Sequence, residues 1–320
     1  MHPRAYHHPT DAEMVVAMLA ELAATDPTAT PVTLEQWSGF VARSDGQGGR
    51  DFAVVPDPDN PERCVALMYA LAPRPSTDGG HILRHLRIQV LPRWRRQGLA
   101  TRLLQWAAEC PIEGPQPMLQ CSSPDDWTTG AAFAAHHGAR PVLRELTLKR
   151  PLSPTSRSEP RPEGLEPHPT LALRAYGLPG DDHHWARLHN ASYAQDAFLF
   201  TAMTPGDAVR QVAQEGVEVW FASVHPGHEP QGFCMVQRHS PTEGWIESIA
   251  VHPQARQKGL GRALLTTGLE ALRRQGCTEA TLCVEEGNTA AIRLYHEAGF
   301  VTVGGWTTWW LSLENWSSRT

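Results

Sequence analysis

The chain has 320 residues, enough for two domains of ordinary size. Hydrophobic residues make up 41% and charged residues 19%, the balance of a soluble globular protein, and no apolar run approaches the roughly 20 residues that span a bilayer. The formal net charge of −6 argues against the basic footprint of a nucleic-acid binder; the start of the chain lacks the apolar stretch of a secretory signal, and six cysteines without a CxxC pair read as reduced thiols, so a cytoplasmic protein is expected.

In chain order, the first chemically marked stretch is VLPRWRRQGLATRLL, Val90 to Leu104, with Arg93, Arg95, Arg96 and Gly98 ahead of a leucine-periodic run. KRPLSPTSRSEPRPEGLEPHPT, Lys149 to Thr170, is rich in Pro, Ser and charge and cannot bury enough apolar surface to fold by itself. Residues 151–170 therefore read as a linker between an N-terminal domain, 1–150, and a C-terminal domain, 171–320. Beyond it LALRAY is a strand, DDHHWARLHNASY and PGDAVRQVAQE are helical, and VEVWFASV and QGFCMVQRH are strands joined by a Gly/Pro turn. WIESIAV is the next strand. GRALLTTGLEALRRQG follows as an amphipathic helix with Leu264, Leu265, Leu269 and Leu272 on one face and Gly276 at its end. EATLCVE is a strand, NTAAIRLYHEAG a helix with Asn288 as N-cap and Gly299 at its C-terminal end, and WTTWWLSL the closing strand.

The two halves repeat. Val251 follows Val90 by 161 positions, and the same offset relates Pro253 to Pro92, Arg256 to Arg95, Gly259 to Gly98, Leu260 to Leu99, Leu264 to Leu103, Leu265 to Leu104 and Gly299 to Gly138. A constant offset implies one strand–turn–helix–strand–helix unit, a mixed α/β domain used twice.

The better-marked copy is VHPQARQKGLGRALL, Val251 to Leu265. A helix start has four N–H groups without intrahelical partners and a partial positive charge. Gly259 and Gly261 let an anion approach that backbone, and Arg256, Lys258 and Arg262 add charge, which together make a phosphate site. Each charge-assisted hydrogen bond is worth about 1.5–3 kcal/mol. A Rossmann turn would need a third glycine where Leu264 stands, and no Gly-Lys-Ser/Thr of a P-loop is present. The alternative is a plain strand-to-helix turn with solvated cations.

RQKGLG, Arg256 to Gly261, and RRQGLA, Arg95 to Ala100, match the Q/R-x-x-G-x-G/A signature of the GNAT acyltransferases, and NTAAIRLYHEAGF, Asn288 to Phe300, resembles that family's segment N-x-x-A-x-x-x-Y-x-x-x-G-F. The resemblance covers most of residues 171–313 and, more weakly, 60–150. It implies an α/β fold of the α+β type: two tandem GNAT-like domains, each a mixed, mostly antiparallel central sheet flanked by helices. It also implies direct transfer of acetyl from acetyl-CoA to a primary amine of a small molecule, with no enzyme-bound acyl and no metal. The pyrophosphate turn maps onto Arg256, Gln257, Lys258, Gly259, Leu260, Gly261 and Arg262. The strand end that pairs with the pantetheine arm maps onto Ile249, Ala250 and Val251, and a further contact onto Asn288, compatible with its capping role. Tyr295 matches the family's general acid, with packing against the sheet as the alternative. A phenol, with a pKa near 10, can hand a proton to a leaving thiolate near 8.5 at modest cost. Glu247 is the candidate base, expected on one strand face with Trp245 and Ile249; an ordinary solvated glutamate is the alternative. Several members carry their base two residues earlier, where Trp245 stands, and Glu285 is a fallback.

The first copy carries the corresponding cofactor positions Ile88, Val90, Arg95, Arg96, Gln97, Gly98, Leu99 and Ala100, but has Trp127, Ala134 and Leu86 in place of Asn288, Tyr295 and Glu247. It is expected either to hold CoA or to support the second copy, without catalysing. A cysteinyl amine is a narrower acceptor, and a non-catalytic acyl-CoA sensor is the rival reading. The expected partners are acetyl-CoA and a small-molecule amine, with neither nucleic acid nor membrane, in a monomer or homodimer. The histidine pairs His7–His8, His136–His137 and His183–His184 lack a metal-binding framework. Trp306, Trp309 and Trp310 pack the sheet or wall the acceptor cleft, which His189, Tyr193, Phe198 and Phe200 could also line.

Overall fold

Helical and extended runs alternate along the chain in a computed structural model that describes residues 1–25, 31–44, 51–76, 79–152, 171–193, 202–314 and 316. Strand β1 (Arg4–Ala5) leads to helices α1 (Ala12–Thr25) and α2 (Leu34–Arg43), then β2 (Phe52–Pro56), β3 (Cys64–Ala70), β4 (Arg74–Pro75) and β5 (Ile82–Val90). Helix α3 (Leu99–Ala108), β6 (Pro117–Pro124), α4 (Thr128–His136) and β7 (Arg140–Pro151) follow. The order then recurs as β8 (Ala172–Ala175), α5 (Asp181–Tyr193), α6 (Pro205–Val212), β9 (Val217–Ser223), β10 (Gly232–Arg238), β11 (Glu243–Val251), α7 (Leu260–Arg274), β12 (Glu279–Glu285), α8 (Thr289–Glu297) and β13 (Val301–Ser312). Phe198, Phe200 and most of the expected linker lie outside the described residues.

Two units result. The first comprises Met1–Ser122, Thr129–Val142 and Thr308–Thr320, the second Ser123–Thr128 and Leu143–Thr307. In the first, strands run β1-β2-β3-β5-β6; in the second, β8-β9-β10-β11-β12-β7. Each sheet has one parallel pair, β5–β6 and β11–β12, among antiparallel neighbours.

The boundaries differ from those expected at 150 and 171. Strand β7 from Leu143 onward belongs to the second unit, and β13 from Thr308 onward to the first. Arg150 and Pro151 pair with Ala280 and Glu279, so a stretch that composition marks as linker begins as strand. Trp309 and Trp310 fall in the first unit, apart from Trp306. There Trp310 is buried and donates Nε1–H to Gln120 Oε1 (3.3 Å), which makes it a packing residue of that unit.

In the second unit β10 reads Phe-Cys-Met-Val and is buried on both faces. Phe233 and Met235 meet Trp185 and Leu188 of α5, while Cys234 and Val236 meet the leucine stripe of α7. Leu264, Leu265, Leu269 and Leu272 are each 2% exposed or less, and burial of such a side chain is worth about 1.5–3 kcal/mol. A Cβ on Gly268 would stand 2.8 Å from Cys234 Sγ, so only glycine lets the helix lie this close to the sheet.

One repeated device follows a different offset. RAYHHPTD at Arg4–Asp11 and RAYGLPGD at Arg174–Asp181 fold alike. Arg4 grips both oxygens of Asp11 (2.6 and 2.8 Å), and Arg174 both oxygens of Asp181 (2.8 and 2.7 Å). Each aspartate also accepts backbone N–H groups, from His7 in one case and from Gly177 and Leu178 in the other. Among the described residues no helix is long and apolar enough to cross a membrane.

Candidate active site

The turn before α7 is strained and open to anions. Gly259 has φ 81°, as its lack of Cβ permits, but Gln257 is a non-glycine residue at φ 64°. The first copy repeats both angles closely, at Gly98 (77°) and Arg96 (64°). Neither α3 nor α7 has a side-chain cap, whereas α2, α6 and α8 are capped by Thr33, Thr204 and Asn288. The first helical bond of α7 runs from Ala263 N–H to Gly259 O, so the N–H groups of Leu260, Gly261 and Arg262 have no intrahelical acceptor. Arg256, Gln257, Lys258 and Gly259 are exposed around them. Gly261 has its nearest foreign atom 3.6 Å from a Cβ position and would admit the alanine found at Ala100.

The cations divide their work. Arg256 donates Nε–H to Val251 O (3.4 Å), and Arg95 does the same to Val90 O (3.1 Å), so each braces its turn against its strand. Arg262 is directed to Glu297 (2.5 Å), which also binds Arg293.

The strand ahead of the turn has an open edge. The parallel ladder joins Glu243, Gly244 and Trp245 to Glu279, Ala280 and Thr281 and ends there, while β11 continues to Val251. Ala250 directs its carbonyl toward Gly232 of β10. By strand alternation Ile249 and Val251 turn theirs to the unpaired side, where Tyr193 Oη lies 3.3 Å from Ile249 O and 2.8 Å from Ser248 Oγ. Ala250, expected beside the other two, thus spends its backbone on the β10 ladder.

Glu247 occupies a bulge. Met235 pairs with Ser248 and Val236 with Ile246, which leaves Glu247 as the additional residue. Ile246 and Ile249 consequently both face the α7 core, three positions apart. Glu247 shares the face of Trp245 but not that of Ile249, correcting the expectation from strict alternation. Its Oε1 lies 2.6 Å from His239 Nε2, and the His239 ring stacks on Trp245 at 5.3 Å and 16°.

Tyr295 enters from the opposite side, within the α7–α8 core that includes Ile249 and Val251. It is 5% exposed and packs edge-on to Phe300 at 6.0 Å. Burial, then the nearby Tyr193 and Cys234, push its phenol well above the usual tyrosine range, so it holds its proton at neutral pH. Asn288 caps α8 by accepting Ala291 N–H at 3.2 Å. Glu285 stands opposite Glu145, whose carboxyl is pushed up by burial and by the Glu285 charge. His189 packs on Tyr193 at 5.0 Å, and burial lowers its imidazole pKa. Sequence reasoning points neither to His239 nor to the pairing of Tyr193 with Ser248. A histidine across a hairpin turn from a glutamate carries no fixed spacing to signal the contact.

The first unit keeps the turn and loses the chemistry. Strand β5 pairs with β3 in unbroken register, so without a bulge Leu86 points into the core with Ile88 and Val90. Ala134 is buried where the second copy has Tyr295.

An opened parallel pair leading to an uncapped helix in each half defines the class, and comparison agrees. A sequence model of the acetyltransferase (GNAT) family matches residues 183–300. A mycothiol acetyltransferase of Salinispora arenicola is 34% identical over 224 residues, 67% of this chain and 68% of that one. The chain belongs to the GNAT family and is an N-acetyltransferase built of two tandem domains. Across nearly its whole length it is similar to the mycothiol acetyltransferase of Thermobispora bispora, at 28% identity over 310 residues, 91% of this chain and 93% of that one. A tandem GNAT protein from the clavulanic acid biosynthesis pathway shares the fold, with a TM-score of 0.73 at 18% identity over 98% of both chains.

Proposed function

We propose that the second domain transfers acetyl from acetyl-CoA to the amine of a small molecule. Support comes chiefly from one arrangement: the open edge of β11 leads straight to three helix-start amides that have no intrahelical acceptor. The diphosphate would lie on the N–H groups of Leu260, Gly261 and Arg262 with Lys258 beside it, and the pantetheine arm along Ile249 and Val251. Such placement would set the thioester between Tyr295 on one side of the sheet and Glu247 on the other. The amine then attacks the carbonyl carbon as Glu247 takes its proton, directly or through water. The C–S bond breaks, and the departing sulfur takes the Tyr295 proton. An apolar pocket weakens a phenol as an acid, but it also raises the basicity of a thiolate desolvated beside it, which keeps the two matched.

The narrower acceptor is a cysteinyl amine, as the names of the relatives suggest. The energetics favour it. An alkylamine near pKa 10.4 costs about 4.6 kcal/mol to neutralise at pH 7, whereas an α-amine near 7.8 costs about 1 kcal/mol, a smaller demand on a carboxylate base. Retention of both Tyr295 and Glu247 speaks against a non-catalytic sensor. The chain, acetyl-CoA and a panel of amines, read by chromatography of CoA and of N-acetyl product because a cysteinyl acceptor would confuse thiol reagents, test the reading. Cysteinyl α-amines are expected to turn over fastest. Binding of acetyl-CoA without product from any amine would overturn the proposal.

A further inference from the structure

We infer that His239 is the positioning residue for Glu247: its Nε2–H holds one carboxylate oxygen and so leaves the other to meet the acceptor amine. The inference rests on the reading of Glu247 as base and names what makes that side chain competent. Glu247 sits at a bulge on β11, where no regular neighbour fixes its rotamer, and ordering a free glutamate side chain costs about 1.5–2 kcal/mol. His239 supplies the constraint. It is the first residue beyond β10, and its backbone N–H donates to Glu243 O at 3.0 Å, which ties it to the start of β11. Its ring lies flat on Trp245, 5.3 Å between centroids and 16° between planes, and its Nε2 is 2.6 Å from Glu247 Oε1. One hairpin therefore presents a stack and a hydrogen bond that together define where the carboxylate points.

The tautomer follows from the partner. A carboxylate can only accept, so Nε2 carries the hydrogen and Oε1 is taken, while Oε2 keeps lone pairs for the ammonium proton. On transfer, the amine N–H bond breaks and an O–H bond forms at Oε2. The nitrogen pair goes to the thioester carbon, and Glu247 later returns its proton to solvent. His239 keeps its own proton throughout, so it positions and does not relay. The side chains are 41% and 28% exposed, and pairs this open to water contribute only about 0–1 kcal/mol to stability. Their consequence is geometric. It also gives Trp245 a task at the position where a base might otherwise stand: it is the platform that fixes the histidine.

Steady-state kinetics on the full chain with acetyl-CoA and its amine, comparing E247Q, H239A, H239Q and the double variant H239A/E247Q, test the inference. E247Q is expected to lower kcat about 100-fold. H239A should lower kcat about tenfold with KM for acetyl-CoA unchanged, since misplacing a reacting group is costly while cofactor binding is untouched. In H239Q the amide N–H replaces Nε2–H and should restore most of the loss, and H239A should add nothing in the E247Q background. If E247Q is impaired while H239A turns over normally, the positioning role is wrong and the base stands. The positioning role fails equally if H239Q is as slow as H239A. Undiminished turnover by E247Q would remove the base assignment and this inference with it.

Discussion

Tyr295 combines deep burial with a hydroxyl that no group among the described residues bonds. Removing such an oxygen is nearly neutral or stabilising for the fold, because no partner is orphaned. Tyr295→Phe is therefore expected to keep or raise the melting temperature while lowering kcat about 100- to 1,000-fold, with KM for acetyl-CoA little changed. Unchanged kcat would make the tyrosine a packing residue, the alternative that its place in the core allows. Its raised pKa has a sign. The reaction needs the protonated phenol, so loss of that proton should not limit turnover below about pH 10, the ordinary tyrosine value. A pH profile with a Tyr295-dependent alkaline limb near pH 8 would contradict this.

At the scale of elements, the Arg174–Asp181 clamp ties the end of β8 to the first turn of α5. Burial alone would raise the Asp181 carboxyl, but Arg174 and the N–H groups of Gly177 and Leu178 outweigh it and hold it below the usual range. A depressed folded pKa stabilises above the unfolded value, near 3.9, and that contribution is lost as pH falls through the lower folded value. Asp181→Asn removes the buried charge that the Arg174 guanidinium grips and should cost about 3 kcal/mol at pH 7, with the gap to the parent closing under strong acid. Equal stability of the two at pH 7 would refute the clamp. The clamp is legible as RAY-x-x-P-x-D in both halves, but at a separation of 170 rather than 161, so a search at one offset passes over it. The turn glycines, the α7 leucine stripe and the Asn288 cap are legible because each is a local rule with a fixed spacing. The bulge at Glu247 is not, since it depends on how β10 pairs with β11, and period-two alternation cannot contain it.

For the whole molecule, composition marks a division near residue 150 but cannot say which strand closes which sheet. Thr308 bonds Ser122, Trp310 bonds Gln120 and Leu311 is buried in the first unit's core, all from the far end of the chain. A fragment ending at residue 152 lacks these partners and should fail to give a cooperative melt alone, and one beginning at 171 lacks the strand opposite Glu279–Glu285 and should fail likewise. Two independently melting fragments would show that the closing strands are dispensable. The repeated turn and the unrepeated bulge together assign a retained anion-binding backbone to both copies and chemistry to one. The most direct test is a crystal structure with acetyl-CoA. The account predicts diphosphate oxygens about 3 Å from the amide nitrogens of Leu260–Arg262 and a thioester at the unpaired edge of β11 within reach of Tyr295. A cofactor lying elsewhere in the second unit, or seated there with its sulfur remote from Tyr295, would contradict it.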